Sequence, residues 1–329
     1  MEMRRFKVIT YKFLINILLR LPDAFYAVLF AVVFPIYKAL HKKRAYGRVE
    51  KHLAAAKEFE ARKSNGTNKM PRDAKSPTPN ALATTNACDT FRGIFWNALE
   101  SYRGLARFKS VEKRIVYENE HIIRDAIKEC AKQNAPIAGI SIHQGAFELM
   151  HRALCRYSEH VHLITDSVGD PAFREVLKNL RSDKHLTEYH PNETGRLIRE
   201  LFRTKGILAM VIDQGKHTKG NTVSLFGRPS MLYLRLPQKI NEMGAGIVTF
   251  RTWSEKKHIV IRFESYYPPK YDIQHGRETS ARLNDHSVKN ATPSESALVT
   301  AIAREVETWI AEHPEQWSWN YHGNFTAAH

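Results

Sequence analysis

Two short apolar runs, residues 137–142 (IAGISI) and 207–212 (ILAMVI), constrain this chain more than any other feature. Each is too short for a buried helix, is bounded by turn-forming or polar residues, and ends abruptly on a side chain that ionises, His143 and Asp213. Continuous apolar runs of this length read as strands buried on both faces. Between and around them the pattern changes to helical spacing, at 118–132, 146–157, 171–181, 193–205 and 236–243, with further strands expected at 160–165, 246–253 and 258–264. Strands alternating with helices predict an α/β fold with a largely parallel central sheet flanked by helices. In such sheets reactive groups collect beyond the carboxyl ends of strands, and His143 and Asp213 independently occupy that kind of position.

The segment HQGAFE places Glu148 five residues after His143, with Gly145 between them. On one continuous helix an offset of five would set the two side chains about 140° apart, at about 100° per residue. A strand, a tight turn at Gly145 and then a helix removes that objection. The imidazole can then fold back on the first helical turn. A neutral imidazole acts as a general base when a carboxylate holds one ring nitrogen and leaves the other free, and the spacing offers Glu148 for that duty.

The first 40 residues are the most hydrophobic part of the chain and carry no cleavage site of the signal-peptide kind. Arg20 and Asp23 divide them, so the apolar segment reads as a short span at 24–37 with Lys38 snorkelling, as two helices at 6–19 and 24–40 lying in one leaflet, or as a soluble helical pair packed on the core. Residues 1–48 are expected to form a membrane anchor, 49–90 a polar loop or insertion, and 91–329 the main domain, with a helix at 91–108 docking the anchor onto it. Lys and Arg exceed Asp and Glu by 16, and a basic cluster at His41, Lys42, Lys43, Arg44 and Arg48 follows the apolar segment. Such a balance favours anionic partners. Nucleic acid is excluded as the partner, since no basic stripe interleaved with stacking aromatics accompanies the charge. The histidines fall at no ligand spacing and the three cysteines form neither a metal motif nor a disulfide framework, so no metal is expected.

Further motifs follow in order: Arg181, Asp213-Gln214, the run LFGRP containing Arg228, and HPEQW at 313–317. With HQGAFE they resemble the bacterial lipid A biosynthesis acyltransferases, the lauroyl- and myristoyl-type enzymes of the lysophospholipid acyltransferase superfamily, over roughly residues 111–319. The resemblance implies a glycerolipid acyltransferase-like fold. It makes His143 the catalytic base, Glu148 its orienting carboxylate, and Arg181, Asp213, Gln214, Gly145 and Arg228 supporting or substrate-binding residues. It also implies transfer of an acyl chain from acyl carrier protein or a coenzyme A thioester to a glycolipid hydroxyl. For that acyl transfer, backbone N–H groups of the Gln144–Gly145 turn, or the Arg181 guanidinium, are candidate donors to the oxyanion. An ion pair between Arg181 and Asp213 is the structural alternative for that arginine. The resemblance further implies that no cofactor and no covalent acyl-enzyme are involved and that the reaction belongs on the cytoplasmic side of an inner membrane. The sequence departs from that pattern at Gln144, Ala146 and Phe147 and after the last motif, at Asn320, Tyr321 and His322, which leaves another glycolipid, a glycosylated phospholipid or an aminolipid open as acceptor. Outside enzymes the alternative is a catalytically silent lipid-binding or assembly protein, against which the intact His143, Glu148, Arg181 and Asp213 set argues. Trp317 and Trp319 are expected to pack a core edge.

Overall fold

The computed structural model describes residues 2–65, 81–165, 170–214, 219–272 and 296–319. In chain order the elements are α1 (Glu2–Leu18), α2 (Asp23–His41), α3 (Gly47–Asn65), α4 (Ala81–Thr84), α5 (Ala87–Ala106), α6 (Phe108–Val111), β1 (Ile115–Glu118), α7 (Glu120–Lys132), β2 (Ile137–Ser141), α8 (Met150–Leu154), β3 (Val161–Ile164), α9 (Pro171–Arg181), β4 (Leu186–Tyr189), α10 (Thr194–Thr204), β5 (Ile207–Val211), β6 (Asn221–Leu225), β7 (Arg228–Leu232), α11 (Arg235–Glu242), β8 (Gly246–Glu255), β9 (His258–Tyr267) and α12 (Ala297–Glu312). Seven strands form one sheet in the order β1-β9-β8-β2-β5-β3-β4, and β6-β7 is a separate hairpin. Only the β8–β9 pairing within the sheet is antiparallel.

The expected α/β architecture with a mostly parallel sheet is therefore observed. Every residue of β2 is buried, as a central parallel strand covered on both faces must be. Its alternate side chains feed two cores: Ala138 and Ile140 pack with α10 and α12 residues such as Leu201 and Val306, while Ile137 packs with Ile123 of α7 and Leu154 of α8.

One expectation changes, and a hairpin is added. The polar stretch from residue 49 is not all loop: α3 carries regular helix to Asn65, and its Val49, Leu53 and Ala56 are buried in the same core as Leu82 and Phe91. The LFGRP run is a hairpin turn, with Phe226 and Gly227 at positive φ between β6 and β7. The segment expected as a loop at 270–290 and the expected helix cap at Thr292, Pro293 and Glu295 lie largely or wholly outside the described residues. Instead the Ser296 side chain accepts the Val299 N–H at the start of α12.

The N-terminal helices are two-faced. Val8, Tyr11 and Ile15 of α1 pack on Ala172 and Val176 of α9. In α2 the rings of Tyr26, Phe30 and Phe34 pack on Phe95 and Phe91 of α5 at centroid separations of 6.5, 5.3 and 5.9 Å. The opposite faces are apolar and open: Phe6, Ile9 and Phe13 of α1 and Phe25, Val28, Val32, Ile36 and Leu40 of α2 are all exposed, Leu40 by 74%. Among the described residues α2 is the helix long and apolar enough to cross a membrane.

Candidate active site

Parallel pairing of β2 with β5 sets Ser141 opposite Val211. The ladder continues one step further, where the Ile212 N–H donates to the Ser141 carbonyl at 3.0 Å. His143 and Asp213 thereby leave adjacent strands side by side. Asp213 Oδ1 lies 2.7 Å from His143 Nδ1, and the His143 backbone N–H donates to both carboxylate oxygens at 3.1 and 3.0 Å. The Trp317 Nε1–H donates to Oδ2 at 2.9 Å. Asp213 is fully buried, whereas the His143 side chain keeps 15% of its surface. Beside an ionised carboxylate Nδ1 carries the proton and donates, which leaves Nε2 as the basic nitrogen. Among the described residues nothing hydrogen-bonds to Nε2. The Phe147 ring meets the imidazole edge-on at 4.5 Å.

The turn that carries His143 is held from both sides. Gly145 has φ +56°, and a Cβ there would fall 2.5 Å from the Thr252 carbonyl oxygen, so both conformation and space demand glycine. Its N–H donates to the Gln316 carbonyl at 3.0 Å, and the Ser318 N–H donates to the His143 carbonyl at 3.2 Å. The buried Gln144 amide donates to the Trp309 carbonyl at 2.8 Å, while Thr252 Oγ1 donates to the Gln144 carbonyl at 2.7 Å. The N–H groups expected to receive an oxyanion are therefore occupied, since that of Gln144 bonds the Ile142 carbonyl at 2.8 Å and that of Gly145 bonds Gln316.

The expected partnership of His143 with Glu148 is not formed. Glu148 sits in a 3-10 turn, Phe147–Leu149, that directs its carboxylate to the last residue of α9. There Arg181 binds it in a two-pronged pair, Nε to Oε2 at 2.8 Å and Nη2 to Oε1 at 2.6 Å. Arg181 Nη1 also reaches Glu188 of β4 at 3.2 Å, and Glu188 accepts from Thr165 Oγ1 at 2.6 Å. Burial pushes the Glu148 carboxyl upward, but the Arg181 guanidinium outweighs it and holds the group below its ordinary range, with His151 and then His143 adding smaller shares. The alternative Arg181–Asp213 ion pair is replaced for the same reason: strand adjacency gives Asp213 to His143, and the 3-10 turn gives Glu148 to Arg181.

Gln214 follows Asp213, with its amide nitrogen buried and unpartnered among the described residues. No hydrogen bond or ion pair ties the Arg228 side chain to His143 or Asp213 among the described residues, although Phe226 two positions before it stacks on Trp319 at 6.3 Å. Arg228 opens β7 at the hairpin tip, and Tyr233, whose N–H bonds the Ile212 carbonyl at 2.7 Å, is five residues further on. At about 3.3 Å per strand residue that is roughly 16 Å of chain. Glu188 and Thr165 belong to the site's surroundings and were not singled out by sequence; Gln316 and Trp317 stand in the HPEQW motif, but Trp317 was expected only to pack a core edge. The indole N–H of a buried tryptophan, which needs an acceptor, is the signal that could have flagged Trp317.

Fold and site together define an α/β protein with a carboxylate-oriented imidazole at the carboxyl edge of its sheet, an arrangement suited to base catalysis. The family model for bacterial lipid A biosynthesis acyltransferase matches residues 99–322, more than half of the chain, and the chain belongs to that family. It is thus an acyltransferase of the kind that modifies lipid A-like lipids. No curated protein matches the chain.

Proposed function

We propose that His143 is the general base of a direct acyl transfer from a thioester to a hydroxyl of a phosphorylated glycolipid, with Asp213 as the carboxylate that orients it. The carrying observation is the 2.7 Å contact between His143 Nδ1 and the buried Asp213. Nε2 takes the proton of the acceptor hydroxyl as its oxygen attacks the thioester carbonyl. The tetrahedral oxyanion collapses, the carbon–sulfur bond breaks, and the leaving thiolate takes the proton from the imidazolium. Asp213 stabilises that imidazolium, and positioned base catalysis of this kind supplies roughly 10²- to 10⁴-fold in rate. Glu148, Arg181 and Glu188 brace the wall beside the base. Arg181 bonds two carboxylates, so it is not a spare cation awaiting an oxyanion.

The donor in this reading is acyl carrier protein, with coenzyme A thioesters as the other anionic possibility. The acceptor is a lipid A-type glycolipid in the cytoplasmic leaflet of the inner membrane. An excess of 16 basic residues over acidic ones fits an acidic carrier, lipid phosphates and an anionic surface. Two of the three departures inside HQGAFE bear little on acceptor choice, because Gln144 and Ala146 are wholly buried. Phe147 is the one beside the imidazole. The N-terminal helices lie along the membrane within one leaflet: α2 gives one face to α5 and the other, wholly apolar, to lipid.

Mass spectrometry of total lipids from cells with and without the gene, complemented by wild type or by His143→Ala, tests the reading. A glycolipid short of one acyl chain in the knockout, restored by wild type and not by His143→Ala, is the expected result. Restoration by a folded His143→Ala protein, or no lipid change while the protein is expressed, would overturn it.

A further inference from the structure

We propose that Trp317 is a positioning residue for the dyad, its indole N–H setting both the orientation of the Asp213 carboxylate and the basicity of His143. The proposal rests on the reading of His143 as the base. Asp213 is shared between two elements far apart in sequence: Oδ1 faces the imidazole at 2.7 Å and Oδ2 accepts from Trp317 Nε1 at 2.9 Å. A charge-assisted bond of the second kind fixes the carboxylate plane, so that Oδ1 stays aimed at Nδ1. It also draws negative charge away from the side that faces the imidazole. The Trp317 ring is 1% exposed, which keeps water from substituting for it.

The surroundings of Trp317 are built to hold it in place. The 3-10 turn before it, Pro314–Gln316, lies against α5 so closely that a Cβ on Gly93 would fall 1.8 Å from the Glu315 carbonyl oxygen. Asn97 Nδ2, one turn along α5, donates to the Gln316 carbonyl at 2.8 Å. The Gln316 side chain extends the β8 ladder sideways, accepting from the Ser254 N–H at 2.7 Å and donating to the Ser254 carbonyl at 3.0 Å. Trp319 packs edge-on against Trp317 at 4.7 Å, and its own indole N–H goes to the Pro314 carbonyl, away from the dyad. The two tryptophans are thus alike in burial and differ in what the N–H does.

That difference supplies the test, made on the full-length protein with Trp317→Phe and Trp319→Phe. Among the described residues the charged groups around the imidazole are Asp213 from the end of β5 and Glu148 of the 3-10 turn, paired with Arg181 of α9 and with the buried His151 of α8 also beside it. Neither substitution alters them. Loss of the Trp317 donor concentrates carboxylate charge on the imidazole side and favours the imidazolium. The acidic limb of the kcat profile for acyl transfer should move to higher pH by roughly half a unit or more, and kcat should fall roughly ten- to hundredfold with KM for the acyl donor nearly unchanged. Trp319→Phe should lower the rate less and leave the limb where it is. Titration of the His143 ring by NMR, assigned against His143→Ala, gives the same comparison without turnover. It therefore separates failure of this proposal from failure of the acyltransferase mechanism. Should Trp317→Phe not fold, benzothienylalanine at 317, which keeps the indole shape and lacks the N–H, takes its place. An unmoved titration in that protein, or equal behaviour of the 317 and 319 variants, would overturn the assignment.

Discussion

At the scale of single residues the site turns on which carboxylate reaches the imidazole. Glu148 is close in sequence and belongs to Arg181; Asp213, 70 positions away, belongs to His143. Sequence offered His143, Glu148, Arg181 and Asp213 as one constellation, and all four gather at the same edge of the sheet. It did not offer the pairing. Which strand lies beside β2 is decided by the whole sheet, and local spacing carries no record of it. The consequence is measurable in purified protein. Asp213→Asn keeps the size of the side chain and removes its charge, so kcat should fall roughly 10³-fold or more, comparable to loss of the orienting carboxylate in other His–carboxylate sites. Glu148→Gln leaves the buried Arg181 with one carboxylate fewer and should chiefly lower stability, by about 3 kcal/mol, with a smaller loss of kcat. The reverse ranking of the two kcat values would restore Glu148 as the orienting group.

At the scale of elements α5 is the hub. Phe91, Phe95 and Trp96 face the N-terminal helices, while Gly93, Asn97 and Gly104 face the catalytic domain, where a Cβ on Gly104 would lie 2.5 Å from the Leu149 side chain. Its docking role was legible, because aromatic residues at helical intervals had to bury against something. The small-residue face was not, since a glycine in a helix announces close approach without saying to what. The β6-β7 hairpin was missed for a related reason: LFGRP carries a turn signal, but neither flanking strand is apolar enough to stand out. Gly93→Ala tests the hub directly. The added methyl meets a carbonyl oxygen at 1.8 Å, and backbone has no flexible end to yield, so Pro314–Gln316 must shift and carry Trp317 with it. Acyl transfer should drop roughly tenfold or more and the melting temperature should fall by about 4 °C or more. Gly195→Ala in α10, where nothing lies within 4 Å, should leave both unchanged or raise stability slightly. Wild-type activity in Gly93→Ala would show that this close approach is dispensable.

For the whole molecule the open question in the sequence was whether the apolar N-terminus spans, lies flat in one leaflet or packs as a helical pair on the core, and periodicity alone could not choose. The ring packing of α2 on α5, with the opposite face apolar and exposed, favours the second. Val28 and Val32 sit on its open face at 64% and 59% exposure, so the double substitution to Glu alters the exposed apolar surface without touching the fold. Binding to vesicles containing anionic lipid should fall at least tenfold in sedimentation assays while the melting temperature holds. Undiminished binding would move the attachment to the basic catalytic domain.

The ring-packed seam between α2 and α5 has, on the proposed mooring, a kinetic meaning as well. An enzyme moored flat on the bilayer meets a lipid acceptor by lateral encounter in a plane, and what it samples is the number of acceptors per unit area. Adding inert lipid at a fixed bulk amount of acceptor then thins out those encounters and slows turnover, while adding more vesicles of the same composition does not. For such a protein, concentration is counted per unit of surface.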